Sequence, residues 1–209
     1  SDHGANRLGA SALMQGLSDG YFILPYTLQN YLADQIREPV VPVSDNAFVE
    51  TEKEVQRHID NLLNVNGKTT VDTIHKHLGN IMWEYVGMAR EKQGLMKAVD
   101  MIRDLRAEFW HDVRVPRRDG MNSELEKALR VADFLEMGEL IARDALMREE
   151  SCGGHFRIEY QTADGEALRN DKDFSFVAAY EYKGNDNAPV LHKEELEFEN
   201  VEVKQRNYK

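Results

Sequence analysis

The chain has 209 residues and a mass of 24.0 kDa, with 42% hydrophobic and 30% charged residues, enough to bury the core of one large domain or two small ones. Its apolar runs, such as 21–24 and 40–43, fall far short of the roughly 18 residues that cross a bilayer, and its single cysteine, Cys152, excludes an internal disulfide. A formal charge of −11 and a pI near 5.1 oppose nucleic acid and anionic lipid and suit basic partners.

Three regions follow one another. Residues 1–43 are short of charge and rich in small and aromatic side chains. The chain opens Ser1-Asp2-His3-Gly4, without Met or the basic-then-apolar pattern of a signal peptide, so its start reads as a cut in something longer. Residues 10–17 predict a buried helix stopped near Asp19-Gly20, and residues 25–36 a second helix with Pro25 in its first turn. The prolines at 39 and 42 then make 38–43 an extended linker.

Residues 44–150 carry a helical period throughout. Ser44 or Asp45 caps a helix whose stripe is Phe48, Val55, Ile59, Leu62 and Leu63, ended by Asn66-Gly67. Thr69 or Thr70 caps the next, with Val71, Ile74, Leu78, Ile81, Met82, Tyr85 and Val86 inward. A third helix runs over 94–109 through Leu95, Val99, Ile102 and Leu105. Ser123 caps a fourth, burying Leu125, Leu129, Ala132, Leu135, Leu140 and Ala145. Four amphipathic helices joined by short turns predict a small antiparallel bundle.

After Cys152-Gly153-Gly154 the period falls to two. Residues 156–160 and 174–182 read as strands, Asp164-Gly165 and Lys183-Gly184-Asn185 as turns, and 196–203 as a further alternating segment. Between 159 and 202 lie 12 acidic and 4 basic residues, a net of −8. The fold expected is therefore mainly α with a small β tail.

Most chemical motifs are absent or bland. No glycine cluster has dinucleotide or P-loop spacing. His75 and His77 are two apart on a helix and point about 200° from each other, so they do not chelate one ion. Cys152 reads as a small hydrophobe, and Met82-Trp83 and the aromatic pair Phe109-Trp110 as core. The segment 2–9 differs: His3, Asn6 and Arg7 stand in a glycine-punctuated loop before a helix of small residues. Such a loop admits close backbone approach to a flat ligand, and a helix N-terminus favours negative charge. Arg7 can grip a carboxylate with two parallel hydrogen bonds, or pair with a surface carboxylate.

His3-Gly4-Ala5-Asn6-Arg7-Leu8-Gly9, followed by Ala10-Ser11-Ala12-Leu13, resembles the signature near the end of the FAD-binding domain in the flavoprotein subunit of succinate dehydrogenase and fumarate reductase. Further on, Glu150-Ser151-Cys152-Gly153-Gly154-His155-Phe156-Arg157-Ile158-Glu159-Tyr160 resembles that family's Glu-Ser-Arg-Gly-Ala-His-x-Arg-x-Asp-Tyr stretch, with Cys152 and Gly154 as departures. The family usually has Gly-Asn-Ser-Leu or Ser-Asn-Ser-Leu where this chain has Ala10-Ser11-Ala12-Leu13.

The resemblance implies a C-terminal portion of that subunit: a remnant of the FAD-binding domain (1–43), a helical bundle (44–150) and an acidic β-rich tail (151–209). It implies a parent that moves hydride between succinate or fumarate and FAD. Electrons would pass to an iron–sulfur subunit and a membrane-anchor subunit on the cytoplasmic side of the inner membrane. Arg7 then matches the arginine that holds the dicarboxylate, Ala12 and Leu13 match positions whose backbone meets the flavin, and Asn6 and His3 share the loop. His155 and Arg157 receive no role beyond a structural or interface one. By itself the chain would be inactive and bind no FAD, and it could self-associate through 1–43. The alternative reading is a subunit-docking module without catalytic residues of its own.

Overall fold

The computed structural model describes residues 10–184, 187–200 and 202. Two bodies of helix differ in their surroundings. The first is a short rod: α1 (Ser11–Ser18), a wide π turn over Asp19–Ile23, and α2 (Leu24–Leu32). Asp19-Gly20 does not stop the helix as expected, because the chain continues in right-handed geometry with five-residue hydrogen-bond spacing. Pro25 sits in the first turn of α2, where its missing N–H costs no hydrogen bond. The expected burial of this segment is not met. None of its residues is buried, and Leu13, Leu17, Phe22, Ile23 and Leu28 all face outward.

The second body is the bundle of α3 (Asn46–Asn64), α4 (Val71–Tyr85), α5 (Lys92–Asp112) and α6 (Ser123–Met147). Asp45 caps α3 by accepting the Ala47 N–H at 2.9 Å, and Thr70 caps α4 by accepting that of Thr73 at 3.2 Å. The cap of α6 is Asn122, which accepts the Leu125 N–H, and not Ser123, which is the first helical residue. The core joins Leu62 of α3, Val71, Ile74, Leu78 and Ile81 of α4, Leu95, Ala98, Ile102, Leu105 and Phe109 of α5, and Ala128, Val131, Leu135, Ala142 and Ala145 of α6. Small residues set the closest approach: the α-hydrogen side of Gly138 faces Leu78 and Met82, where a Cβ would lie 3.3 Å from each.

The core differs from expectation at Phe48, Val55 and Trp83. Phe48 and Val55 are about half exposed, because the first turns of α3 run beyond the bundle and only Leu62 is fully enclosed. Trp83 is 84% exposed on the outer face of α4, whereas Phe109 is fully buried with Trp110 edge-on to it. Both His75 and His77 are exposed, His75 beside the ring of Phe134.

Between the helices a pattern of four residues escapes the helical period. β1 (Thr69–Thr70) and β2 (Val113–Arg114) form a short parallel pair, Thr69 opposite Val113. Asp112 fastens it, accepting the Thr69 hydroxyl at 2.6 Å and the Lys68 N–H at 3.1 Å, and these bonds hold its carboxyl below the usual carboxylate range. Gly67 lies directly on the Asp112 backbone: a Cβ there would stand 1.9 Å from the Asp112 carbonyl oxygen.

After the short helix α7 (Asp171–Phe174), β3 (Phe176–Glu181) and β4 (Val190–Glu195) make an antiparallel hairpin. The expected strand at 156–160 is instead a bridging segment, and the expected alternation over 196–203 falls after β4; its described residues carry no strand. Val201 and Val203 lie outside the described residues, as does Asn185 of the expected turn. No helix among the described residues is long and apolar enough to cross a membrane.

Candidate functional site: a helix-end clasp and an uncapped helix start

The segment from Arg148 to Tyr160 packs where three helices of the bundle end, and its charges match the ends it meets. Arg157 is 1% exposed. Its Nη1 donates to the carbonyl oxygens of Ala145 (3.0 Å), Leu146 (3.3 Å) and Arg148 (3.4 Å), so it satisfies the open C-terminus of α6. Arg90 does the same for α4, its Nε donating to the carbonyls of Val86 (3.0 Å) and Gly87 (3.2 Å). Glu159 accepts from the Lys92 N–H at 2.5 Å, at the N-terminus of α5, and from Arg157 Nε at 3.1 Å. Cations thus sit at two helix C-termini and an anion at an N-terminus, the arrangement the helix dipoles favour.

Backbone bonds close the clasp. The Arg90 N–H donates to the Phe156 carbonyl (3.0 Å), and the Ile158 N–H to the Arg90 carbonyl (2.9 Å). Ser151, fully buried, accepts the Arg157 N–H at 2.8 Å on its Oγ, and the same hydroxyl donates to the Arg157 carbonyl at 3.1 Å. Glu150 accepts the Asn170 N–H (3.0 Å) and Arg148 Nη1 (3.4 Å).

His155 is the imidazole of the clasp. Arg90 Nη1 lies 2.8 Å from its Nδ1, and its Nε2 lies 2.9 Å from the Arg148 carbonyl. Arginine only donates and a carbonyl only accepts, so the ring is neutral with its proton on Nε2. Burial pushes its pKa down, the Arg148 carbonyl opposes this, and the nearby Arg90 and Arg157 charges push it further down. For Glu159, burial works to raise the pKa, yet the Lys92 N–H and Arg157 together hold it below the usual range. These groups have their protons fixed and their lone pairs engaged with backbone, which makes the clasp a structural device. Cys152 is no activated nucleophile: partial burial, then the Glu150 charge, push its thiol up. It stands in a tight turn, exchanging backbone bonds with His155 across Gly153 (φ 60°) and Gly154.

The other candidate site is the start of α1. Ala12 and Leu13 lie in its first turn, Leu13 68% exposed. Among the described residues no side chain caps this helix and no acidic residue stands in its first turn, so the Ala12 and Leu13 N–H groups at its start favour an acceptor from outside the helix. Ala10 reaches the helix through left-handed backbone (φ 59°), a conformation that costs a non-glycine residue about 1 kcal/mol. His3, Asn6 and Arg7 lie outside the described residues. Among the described residues no group of three or more His, Cys, Asp or Glu side chains could hold a metal ion.

Residues 75–208, which include the whole clasp, match the family described as fumarate reductase flavoprotein C-term. The chain belongs to this fumarate reductase flavoprotein family. It is 31% identical over 201 residues to the fumarate reductase flavoprotein subunit of Helicobacter pylori, covering 96% of this chain and 27% of that protein. In fold it resembles a quinol-fumarate reductase solved with menaquinol, with a TM-score of 0.71 at 22% identity over 94% of this chain and 32% of that one. It also resembles Sdh1 of Mycobacterium smegmatis, with a TM-score of 0.65 at 21% identity over 81% and 26%. The chain spans about a quarter of the length of the Helicobacter pylori relative. The mainly helical fold with a small β tail agrees with this family membership.

Sequence reasoning gave His155 and Arg157 no more than a structural or interface role; the structure makes them helix-end ligands. It missed Arg90 and Glu159 as their partners. A signal of sign and position was available for Arg90, a cation shortly after the C-terminal end of α4, but none for Glu159, which caps α5 from 67 residues away.

Proposed function

We propose that this chain is the C-terminal part of a flavoprotein subunit that interconverts succinate and fumarate. The family match over 75–208 carries the reading, with the loop at 3–9 ahead of α1 as its chemical counterpart. In this reading Arg7 holds a substrate carboxylate through its guanidinium fork, and Asn6 and His3 complete the loop. The uncapped start of α1 fits the carbonyl edge of a flavin: the Ala12 and Leu13 N–H groups are donors without a helical acceptor, and no acidic side chain repels the ring's partial negative charge. Bound FAD would supply hydride chemistry, and the residues here would position it and the dicarboxylate.

The partner reading accompanies this one. α1 and α2 expose Leu13, Leu17, Phe22, Ile23 and Leu28 along one rod, a surface suited to the remainder of the FAD-binding domain, or to self-association of the chain alone. The parent would pass electrons to an iron–sulfur subunit and membrane-anchor subunit, and the 209 residues by themselves would neither bind FAD nor turn over. A chain whose sole role is subunit docking would keep the bundle and dispense with Arg7.

In the longer protein carrying this region, Arg7→Met should lower fumarate reduction by at least about a hundredfold with the flavin absorbance intact. An unchanged rate would remove Arg7 from the substrate site. Tight FAD binding by the 209 residues alone would overturn the claim that they lack a complete cofactor site.

A further inference from the structure

α4 and α5 lie side by side, and an open groove of about 710 Å³ runs between them on the surface of the bundle, within the size range of binding clefts. Ile81 and Leu105, both buried, and the half-buried Met101 form its apolar floor. Trp83 stands at its side, 84% exposed, and extends the apolar surface outward.

The rim carries charge of one sign. Glu84 of α4 and Asp104 and Glu108 of α5 border the groove, and no Lys or Arg does. On α3 and α6, by contrast, several exposed acids find cations on their own helix: Glu50 with Lys53 at 3.0 Å, Glu54 with Arg57 at 3.8 Å, and Glu126 with Arg130 at 2.5 Å. Among the described residues none of the three groove acids has an ion-pair partner. The cations of α5 are placed elsewhere. Lys97 feels the Glu84 charge but donates to the Tyr85 hydroxyl at 2.8 Å. Arg103 lines the neighbouring groove toward α3, and Arg106 meets Glu139 at 2.7 Å beside Arg143, beneath the β3–β4 hairpin. Asp104 and Glu108 stand four apart, where like charges oppose the helix that carries them. A cation from outside would relieve that repulsion.

An apolar floor between unpaired acids defines its complement, an apolar stripe flanked by cations. We propose that the α4–α5 groove docks a cationic amphipathic helix of a partner protein. Residues 77–84 and 101–108, which bound the groove, each cover about 11 Å of helix axis, room for two turns of the partner. Its apolar side chains rest on Ile81, Met101 and Leu105, and two Lys or Arg one turn apart face Asp104 and Glu108. A third cation reaches Glu84 or the face of the Trp83 ring. A second copy of this chain is a poor occupant, because its own formal charge is −11. The proposal is independent of Arg7 and of the flavin.

The probe is an amphipathic peptide of about 14 residues, long enough to hold a helix, with leucine along one face and lysine on both flanks. Its counterpart carries glutamate at every lysine. Each is titrated into the isotope-labelled 209-residue chain and followed by amide shifts. Saturable binding of the lysine peptide with shifts concentrated at 77–85 and 101–108 is expected, and the glutamate peptide should bind at least about tenfold more weakly. Asp104→Lys together with Glu108→Lys should weaken the lysine peptide by at least about tenfold. The same charge change at Glu194 and Glu195 in the β tail should alter it by less than about threefold, since solvent ions screen distant charges. Trp83→Ala, at an exposed position that the fold tolerates, should also weaken it. Equal affinity for the two peptides, equal losses from the groove and tail variants, or shifts centred on 11–32 would overturn the proposal. Concentration-dependent shifts at 77–85 and 101–108 without peptide would give the groove to a second copy of the chain and overturn it as well.

Discussion

The rod of 11–32 and the bundle of 46–147 are both helical and both rich in leucine and aromatic residues, yet they put these side chains to opposite use. In the bundle, Leu62, Ile74, Leu95, Ile102, Phe109 and Leu135 are fully enclosed, because four helices face one another across a shared core. In the rod, Leu13, Leu17, Tyr21, Phe22, Ile23 and Tyr31 are all more than half exposed. A helix buries its apolar side chains only when a second surface is present to receive them, so helical periodicity does not by itself make a core. A second contrast lies within the bundle's periphery, where open helix ends are closed by Arg90 of the α4–α5 connection and by Arg157 and Glu159 of the segment after α6.

The largest test of that difference removes a helix-end ligand. Arg157→Met leaves the Ala145, Leu146 and Arg148 carbonyls short of a buried donor and Glu159 without its cation, and should cost about 3–5 kcal/mol in denaturant unfolding. A loss below about 1 kcal/mol would mean that water replaces the guanidinium. Gly67→Ala should cost about 2–4 kcal/mol, because its Cβ cannot coexist with the Asp112 carbonyl and the β1–β2 pair must part. An unchanged melting temperature would refute that close approach.

Paired core and rod variants sharpen the comparison. Ile102→Ala should cost about 2–5 kcal/mol, as expected for a fully buried aliphatic residue, whereas Leu17→Gln should lie within about 0.5 kcal/mol of the parent chain. Equal losses at the two positions would show that the rod is covered, by a second copy of the chain or by the bundle.

His155 gives a pH test. Its folded pKa is depressed below the ordinary value of 6.5, so the unfolded chain takes up protons first as pH falls. The stability contributed by the neutral ring is complete above pH 6.5 and declines as pH drops below that value toward the folded pKa. His155→Gln should remove this part of the pH dependence between pH 7 and 5, read by denaturant unfolding at each pH. The one gain expected is at Ala10: Ala10→Gly should stabilise the start of α1 by about 1 kcal/mol by relieving left-handed backbone. It should show as reduced amide exchange in that helix.

Much of the bundle was legible in the residues. The stripes of α4 and α5 predicted Val71, Ile74, Leu78, Leu95, Ile102 and Leu105 as core because a three-and-four period places them on one face. Asp45 and Thr70 were legible as caps because a short oxygen-bearing side chain beside the first turn has one natural acceptor role. What failed did so for want of partners. Phe48 and Val55 share the α3 stripe but extend past the surface that would cover them, and Trp83 lies on the wrong side of α4. The two-residue strands at 69–70 and 113–114 carry no period at all, since a pair so short is set by Asp112 and Gly67 across a long loop of sequence.

The sequence by itself determined the helix-forming segments, most of their caps and two family-like signatures in order. These are local properties: they depend on spacing along one chain and on the chemistry of neighbouring side chains. Only the tertiary structure decided that Arg90, Arg157 and Glu159 close three helix ends, and that Arg106 and Arg143 share Glu139 beneath the hairpin. Those contacts join residues far apart in the chain, and their energies depend on distance, burial and direction, which are fixed only when the helices have packed.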